Sequence, residues 1–273
     1  MAHLRYVRDP SKLQAPMAKA NSSVSAVRMV YETEPEIAAA LLPKPLVPAE
    51  RPEVFVQHAS VDVHVSETET RSISAVTVAV RCSYEGIQGA YVIAMPMDGE
   101  FVVITGREVY GEPKKIAENT SVTVEGNKVR TVVGRHGIDF LETRGEIGPS
   151  KGPAKYPEYF FCHKALPNID RSPGFDGDVL LTQLIWERNY TDVKEILNPE
   201  IILRDSAYDP LIDVPVVRIV SAEFAEGSTL TSGKILTKIP GEWIVNHFGQ
   251  RYDDTDDLGI DISLASEKEV VNA

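Results

Sequence analysis

Residues 72–84 place Ile73, Val76, Val78 and Val80, with the small Ala75 among them, in a run of β-branched side chains whose period is close to two. Successive side chains of an extended chain point to opposite faces, whereas apolar positions on a helix recur every three to four residues. β-branched side chains also pack well on a pleated surface. The same signature returns at 101–104, 201–203, 216–220 and 234–236. At 122–124 and 129–133 it flanks Glu125-Gly126-Asn127-Lys128, a hairpin signal. The expected class is mainly β, mostly antiparallel, with minor α.

Two helices are expected. Thr33-Glu34-Pro35-Glu36 has the form of a capping box with proline in the first turn, opening a short helix that runs to Leu42 and stops at Pro43. A second is expected from about Pro240 through Phe248. Segment 145–157, with several Gly, Pro and Lys residues, reads as a long loop between two β regions. Neither repeats nor a Gly/Ser linker divide the chain. The expected organisation is an arm over 1–23, one folded unit over 24–250, and a tail over 251–273 that begins near the acidic run Asp253-Asp254-Thr255-Asp256-Asp257.

Forty acidic against 28 basic residues give a formal charge of -12, which argues against a nucleic-acid partner. Cys82 and Cys162 are too few for a disulfide framework and read as small core residues in a reducing compartment. Residues 1–12 lack the apolar stretch of a secretion signal, and no run approaches the roughly 18 apolar residues of a membrane span. A cytoplasmic location is expected, without a membrane partner. Alternation from Phe55 sets Gln57, Val61, Val63 and Val65 on one face and His58, Asp62 and His64 on the other. The histidine-bearing face reads as a solvated strand face rather than a metal site, and the acidic run near Asp253 also reads as solvated. Gln57, a polar amide on the apolar face, needs a partner; it is either a satisfied core residue or a hydrogen-bond donor to a substrate carbonyl.

The serine-hydrolase elbow, the phosphate-binding loop and the dinucleotide fingerprint are all absent from the sequence. What carries chemistry is Gly106-Arg107-Glu108, followed by Tyr110, Glu112 and Pro113-Lys114-Lys115. An ordinary lysine, with a pKa of about 10.4, has roughly one amine in a few thousand neutral at pH 7. Bringing that value near neutrality costs about 5 to 6 kcal/mol, which a second ammonium and exclusion of water can supply. The amine so freed is a nucleophile for ketones.

These residues resemble the signature of the acetoacetate decarboxylase family. Further landmarks follow in order: Val30-Tyr31-Glu32-Thr33, Leu42-Pro43-Lys44-Pro45-Leu46, Gly86-Ile87-Gln88-Gly89-Ala90-Tyr91, Leu166-Pro167-Asn168, and Asp209-Pro210-Leu211 with Val214-Pro215-Val216. The resemblance covers about residues 24 to 248. It implies a closed antiparallel β barrel or cone with a few peripheral helices, assembled as a homo-oligomer. It further implies that Lys114 forms a Schiff base with a small oxo acid and that Lys115 helps depress its pKa. Decarboxylation of a 3-oxo acid is the implied reaction, with aldol-dehydratase or hydratase chemistry on pyruvate-derived 2-oxo acids as the alternative. A non-catalytic barrel that binds a small acid is the reading from a different class. The protonated imine is its own electron sink, so no cofactor or metal is expected.

Two features depart from the family. Glu112 stands where its decarboxylases carry an aromatic residue, and the only arginine of the expected kind before Val30 is Arg28, at a shifted offset. Glu112 and Tyr110 are the expected proton-transfer groups, with an ion pair to Arg107 or Lys115 as the alternative for Glu112. Arg107 and Glu108 are expected to hold the loop. Glu242 is expected at the start of the last helix, where it either reaches the cavity or caps the helix.

Overall fold

The computed structural model describes residues 4, 6, 7, 9–12 and 20–262. The strands are β1 (Ala20–Glu32), β2 (Val47–Pro48), β3 (Glu53–His64), β4 (Thr70–Tyr84), β5 (Ile87–Met97), β6 (Lys114–Ile116), β7 (Asn119–Glu125), β8 (Lys128–Arg135), β9 (Ile138–Pro167), β10 (Phe175–Leu203) and β11 (Arg218–Ile239). They form one sheet in the order β6-β5-β4-β3-β1-β11-β10-β9-β8-β7. A parallel contact of Ala90 and Tyr91 on β5 with Phe160 and Phe161 on β9 joins the sheet to itself. A ring therefore runs from β5 through β4, β3, β1, β11, β10 and β9 back to β5. Every pairing is antiparallel except those of β5 with β6 and β9. The expected mainly β barrel is the observed class.

Alternation assigns the layers. Phe55, Ala79, Ala90, Val92, Met95, Phe160, Cys162, Leu184 and Trp186 turn inward and pack as one buried cluster. The opposite faces of β3 and β4 bury Val54, Val56, Val76 and Val78 against Val133, Phe140 and Leu141, where β8 and the start of β9 fold back over the barrel. A third cluster sets Val80, Tyr91, Phe161 and Leu181 against Ala38, Ile244 and Phe248. At about 1.5–3 kcal/mol for each large apolar side chain removed from water, these three layers hold the walls together.

Four local expectations fail. Residues 101–104 are not a strand: they lie in helix α2, which follows α1 (Pro35–Ala40) and spans Glu100–Thr105. Its Val102 and Val103 pack on the inward cluster, beneath which β6 emerges. Segment 145–157 is not a loop but part of the 30-residue β9. The last helix is instead three short 3₁₀ turns, Gly241–Trp243, Val245–His247 and Gly249–Arg251. α1 ends two residues before Leu42 and starts without the side-chain cap its sequence promised: Thr33 Oγ1 is buried and unpartnered. Among the described residues no helix is long and apolar enough to cross a membrane.

Candidate active site

α2 continues as a single π-helical turn, Gly106–Tyr110, and then the chain reverses at Gly111 into β6. The reversal is steric as well as conformational. Gly111 has φ 75°, and a Cβ there would stand 2.5 Å from the carbonyl oxygen of His163 on β9. β6 is three residues long and, among the described residues, pairs only with β5, placing Lys114 beside Met95 and Lys115 beside Pro96. Because Met95 belongs to the inward cluster, Lys114 points into the barrel and Lys115 away from it.

Inside, Lys114 Nζ lies 2.7 Å from Glu112 Oε2 and donates to the carbonyl of Val102 at 3.3 Å. The two side chains are 13% and 4% exposed, so the pair is shielded from bulk water. Gly106 makes room for it. A Cβ at that position would lie 2.6 Å from Lys114 Nζ and would also overlap the Glu112 carboxylate. Burial, followed by the Glu112 charge, raises the pKa of Tyr110. Burial and then the Glu112 charge also raise that of Cys162. Both cysteines are free and buried.

Outside, Lys115 Nζ donates to the Tyr208 carbonyl at 2.7 Å and lies 3.3 Å from Asp209 and 3.4 Å from Asp253. Arg135 joins the same two aspartates at 2.9 and 2.7 Å. Strand alternation sends the two ammonium groups to opposite faces, and two carboxylates hold the second. Glu112 likewise pairs with Lys114 itself rather than with Arg107 or Lys115.

Arg107 donates to the carbonyls of Lys114 at 2.8 Å and Arg251 at 3.0 Å, whereas Glu108 is exposed. Glu242 is exposed as well, beside a surface cleft lined by Phe175, Val179 and Val245, and so does not reach the Lys114 pair. Gln57 faces the interior, with its Oε1 accepting from Arg28 at 3.1 Å and Arg188 at 2.9 Å. Both guanidiniums bind Glu158, Arg28 at 2.8 Å and Arg188 at 2.8 Å, and Arg28 also donates to Tyr190 at 2.6 Å. Burial opposes ionisation of Glu158, but Arg188 and Arg28 outweigh it and lower its pKa to about 2. Glu158 and Cys162 are four residues apart on the same face of β9, about 13 Å along the strand. His58, expected on a solvated face, is buried and bonded to Ser74 and Thr120, while Asp62 and His64 are exposed.

A family model described as acetoacetate decarboxylase (ADC) matches residues 6–239. The chain belongs to the acetoacetate decarboxylase family. Acetoacetate decarboxylase of Burkholderia vietnamiensis is 29% identical over 214 residues, covering 72% of this chain and 78% of that one. That of Clostridium acetobutylicum is 29% identical over 207 residues, covering 71% and 78%. The crystal structure of acetoacetate decarboxylase from Legionella pneumophila superposes with a TM-score of 0.68 at 21% identity, over 81% of this chain and 88% of that one. The enduracididine biosynthesis enzyme MppR complexed with pyruvate has a TM-score of 0.65 at 17% identity, over 84% and 95%. At these identities the last two establish a shared acetoacetate decarboxylase fold.

Arg188, Glu158, Asp209 and Arg251 are buried charged residues to which motif reading gave no role. Glu158 had a signal: Tyr156, Glu158, Phe160 and Cys162 alternate along β9, but the expected loop ended only at residue 157 and obscured the strand.

Proposed function

We propose that this protein is a Schiff-base-forming lyase that decarboxylates a small 3-oxo acid through an iminium on Lys114. The reading is carried by the Lys114–Glu112 contact of 2.7 Å inside the barrel. Glu112 is within reach to accept the ammonium proton and so free the amine. The amine then attacks the ketone carbon. Glu112 returns the proton to the departing hydroxyl, so water leaves and the iminium forms. As the bond to the carboxylate breaks, its electron pair flows onto the iminium nitrogen, carbon dioxide departs, and an enamine remains. A proton taken up from solvent, delivered by Tyr110 or by Glu112 once it has been reprotonated, adds to the enamine carbon, and water then hydrolyses the resulting iminium to free the ketone and the lysine.

Charge favours expulsion over retention of the carboxylate. The ionisable partner at Lys114 is the carboxylate of Glu112, which repels a substrate acid group instead of holding it. A second reading, enamine chemistry on a 2-oxo acid, draws on the Arg28–Glu158–Arg188 network, whose two cations face one anion on the same inward surface. Carbon dioxide release from acetoacetate, measured beside consumption of pyruvate and an aldehyde, separates the two. Release from acetoacetate that disappears in Lys114→Ala is the expected result. Turnover of pyruvate alone selects the second reading, and turnover that survives in Lys114→Ala refutes both.

A further inference from the structure

We infer that residues Arg251–Asp253, at and just after the last 3₁₀ turn, are positioning residues for Lys114, a role that rests on the reading of Lys114 as the imine-forming residue. Among the described residues β6 has a ladder partner on one side only, so pairing with β5 alone leaves the lysine-bearing strand weakly fixed. The C-terminal turn supplies the missing constraints, and it does so on both sides of Lys114. Ahead of it, the buried Arg251 donates from Nη1 to the Gly111 carbonyl at 2.7 Å. At it, Arg107 Nη1 bridges the Lys114 carbonyl at 2.8 Å to the Arg251 carbonyl at 3.0 Å. The Arg107 guanidinium also lies over the Tyr252 ring, 5.4 Å from its centre. After it, Asp253 stands 3.4 Å from Lys115 Nζ and 2.7 Å from Arg135, and Arg135 Nε donates to the Ile116 carbonyl at 2.9 Å.

Each residue from Arg251 to Asp253 therefore touches the loop or strand that carries Lys114, or a side chain bonded to it. The anchor of the turn itself is apolar: Phe248 packs at 4.9 Å on Phe175, and the Arg251 guanidinium lies 4.4 Å from the centre of the Phe248 ring. The consequence is directional. Alternation turns Lys115 outward, and by holding Lys115 and the Gly111 carbonyl the C-terminal turn fixes the rotation of β6 that keeps Lys114 on Glu112. A misplacement of about 1 Å at a reacting group can cost about a hundredfold in rate.

The test uses the full chain with Asp253→Asn, its conservative counterpart Asp253→Glu, and Arg251→Lys. Asp253 is 39% exposed, so Asp253→Asn does not compromise the core. Two measurements are made on each: amide hydrogen exchange over residues 111–116, and the rate at which borohydride traps acetoacetate on Lys114. The expected result is faster exchange confined to 111–116 in Asp253→Asn and Arg251→Lys. Trapping is expected to fall about tenfold or more, at an unchanged half-saturating concentration of acetoacetate, with both effects partly reversed in Asp253→Glu. Exchange over 111–116 that matches the unaltered protein, exchange that rises throughout the barrel, or trapping at the unaltered rate overturns the inference. If the unaltered protein traps nothing, the reading of Lys114 fails, and local exchange alone still decides whether the turn holds the strand.

Discussion

At the scale of single residues, Gly106 separates the geometry of the pair from the stability of the fold. Its backbone is helical, and alanine is favoured over glycine in a helix interior by about 1 kcal/mol. The added Cβ would meet the mobile end of Lys114 and the Glu112 carboxylate rather than rigid backbone. Gly106→Ala is therefore expected to keep its melting temperature while losing imine formation, as calorimetry and borohydride trapping would report; unaltered trapping would mean that the pair tolerates displacement. Glu112→Gln keeps the shape but cannot take the proton. Its turnover should fall by about 10² to 10⁴, the range for loss of a general acid–base group, in steady-state rates of carbon dioxide release.

At the scale of elements, the inward polar network ties β1, β3, β9 and β10 together through one carboxylate. Glu158→Gln leaves Arg28 and Arg188 buried without a counter-charge, a change that costs about 3–5 kcal/mol. Chemical denaturation should show that loss, and a variant as stable as the parent would contradict the network's structural role. The elements differ in how far the sequence revealed them. β3 and β4 were legible because their alternating apolar residues face two buried layers. The start of β9 was not, since Gly145 and Gly148 suggested a turn when their function is to admit Ile196 and Leu197 of the neighbouring strand at close range. α2 was misread because a four-residue apolar run has no resolvable period, and packing of Val102 and Val103 decides its form. The Pro113-Lys114-Lys115 motif stood out in the sequence. The partnership of Lys115 with Asp209 and Asp253 was not, because it joins residues more than ninety positions apart and only the strand's rotation reveals it.

At the scale of the whole molecule, acid should unfold the barrel through buried groups on β3 and β9. Burial lowers the pKa of His58 to about 3, and burial with Arg251 and His247 nearby lowers that of His163 to about 3. Both stay neutral in the fold but take a proton in the unfolded chain below about 6.5. Stability is thus fully present above that pH and falls as the pH drops from about 6.5 to about 3, by up to about 1.4 kcal/mol per pH unit for each histidine. Glu158, with its lowered pKa of about 2, adds a further loss between about 4.5 and 2. Denaturation midpoints across this range should decline accordingly, and a flat profile down to pH 4 would contradict the buried, neutral state of the two rings. The central claim concerns the barrel interior, where one amine meets one carboxylate and condenses with an oxo acid. Borohydride reduction with acetoacetate, followed by peptide mass mapping, tests it directly. The account predicts a single stable adduct on Lys114 whose mass shows that the carboxyl group has left. An adduct on Lys115, or no adduct on either lysine, would contradict it.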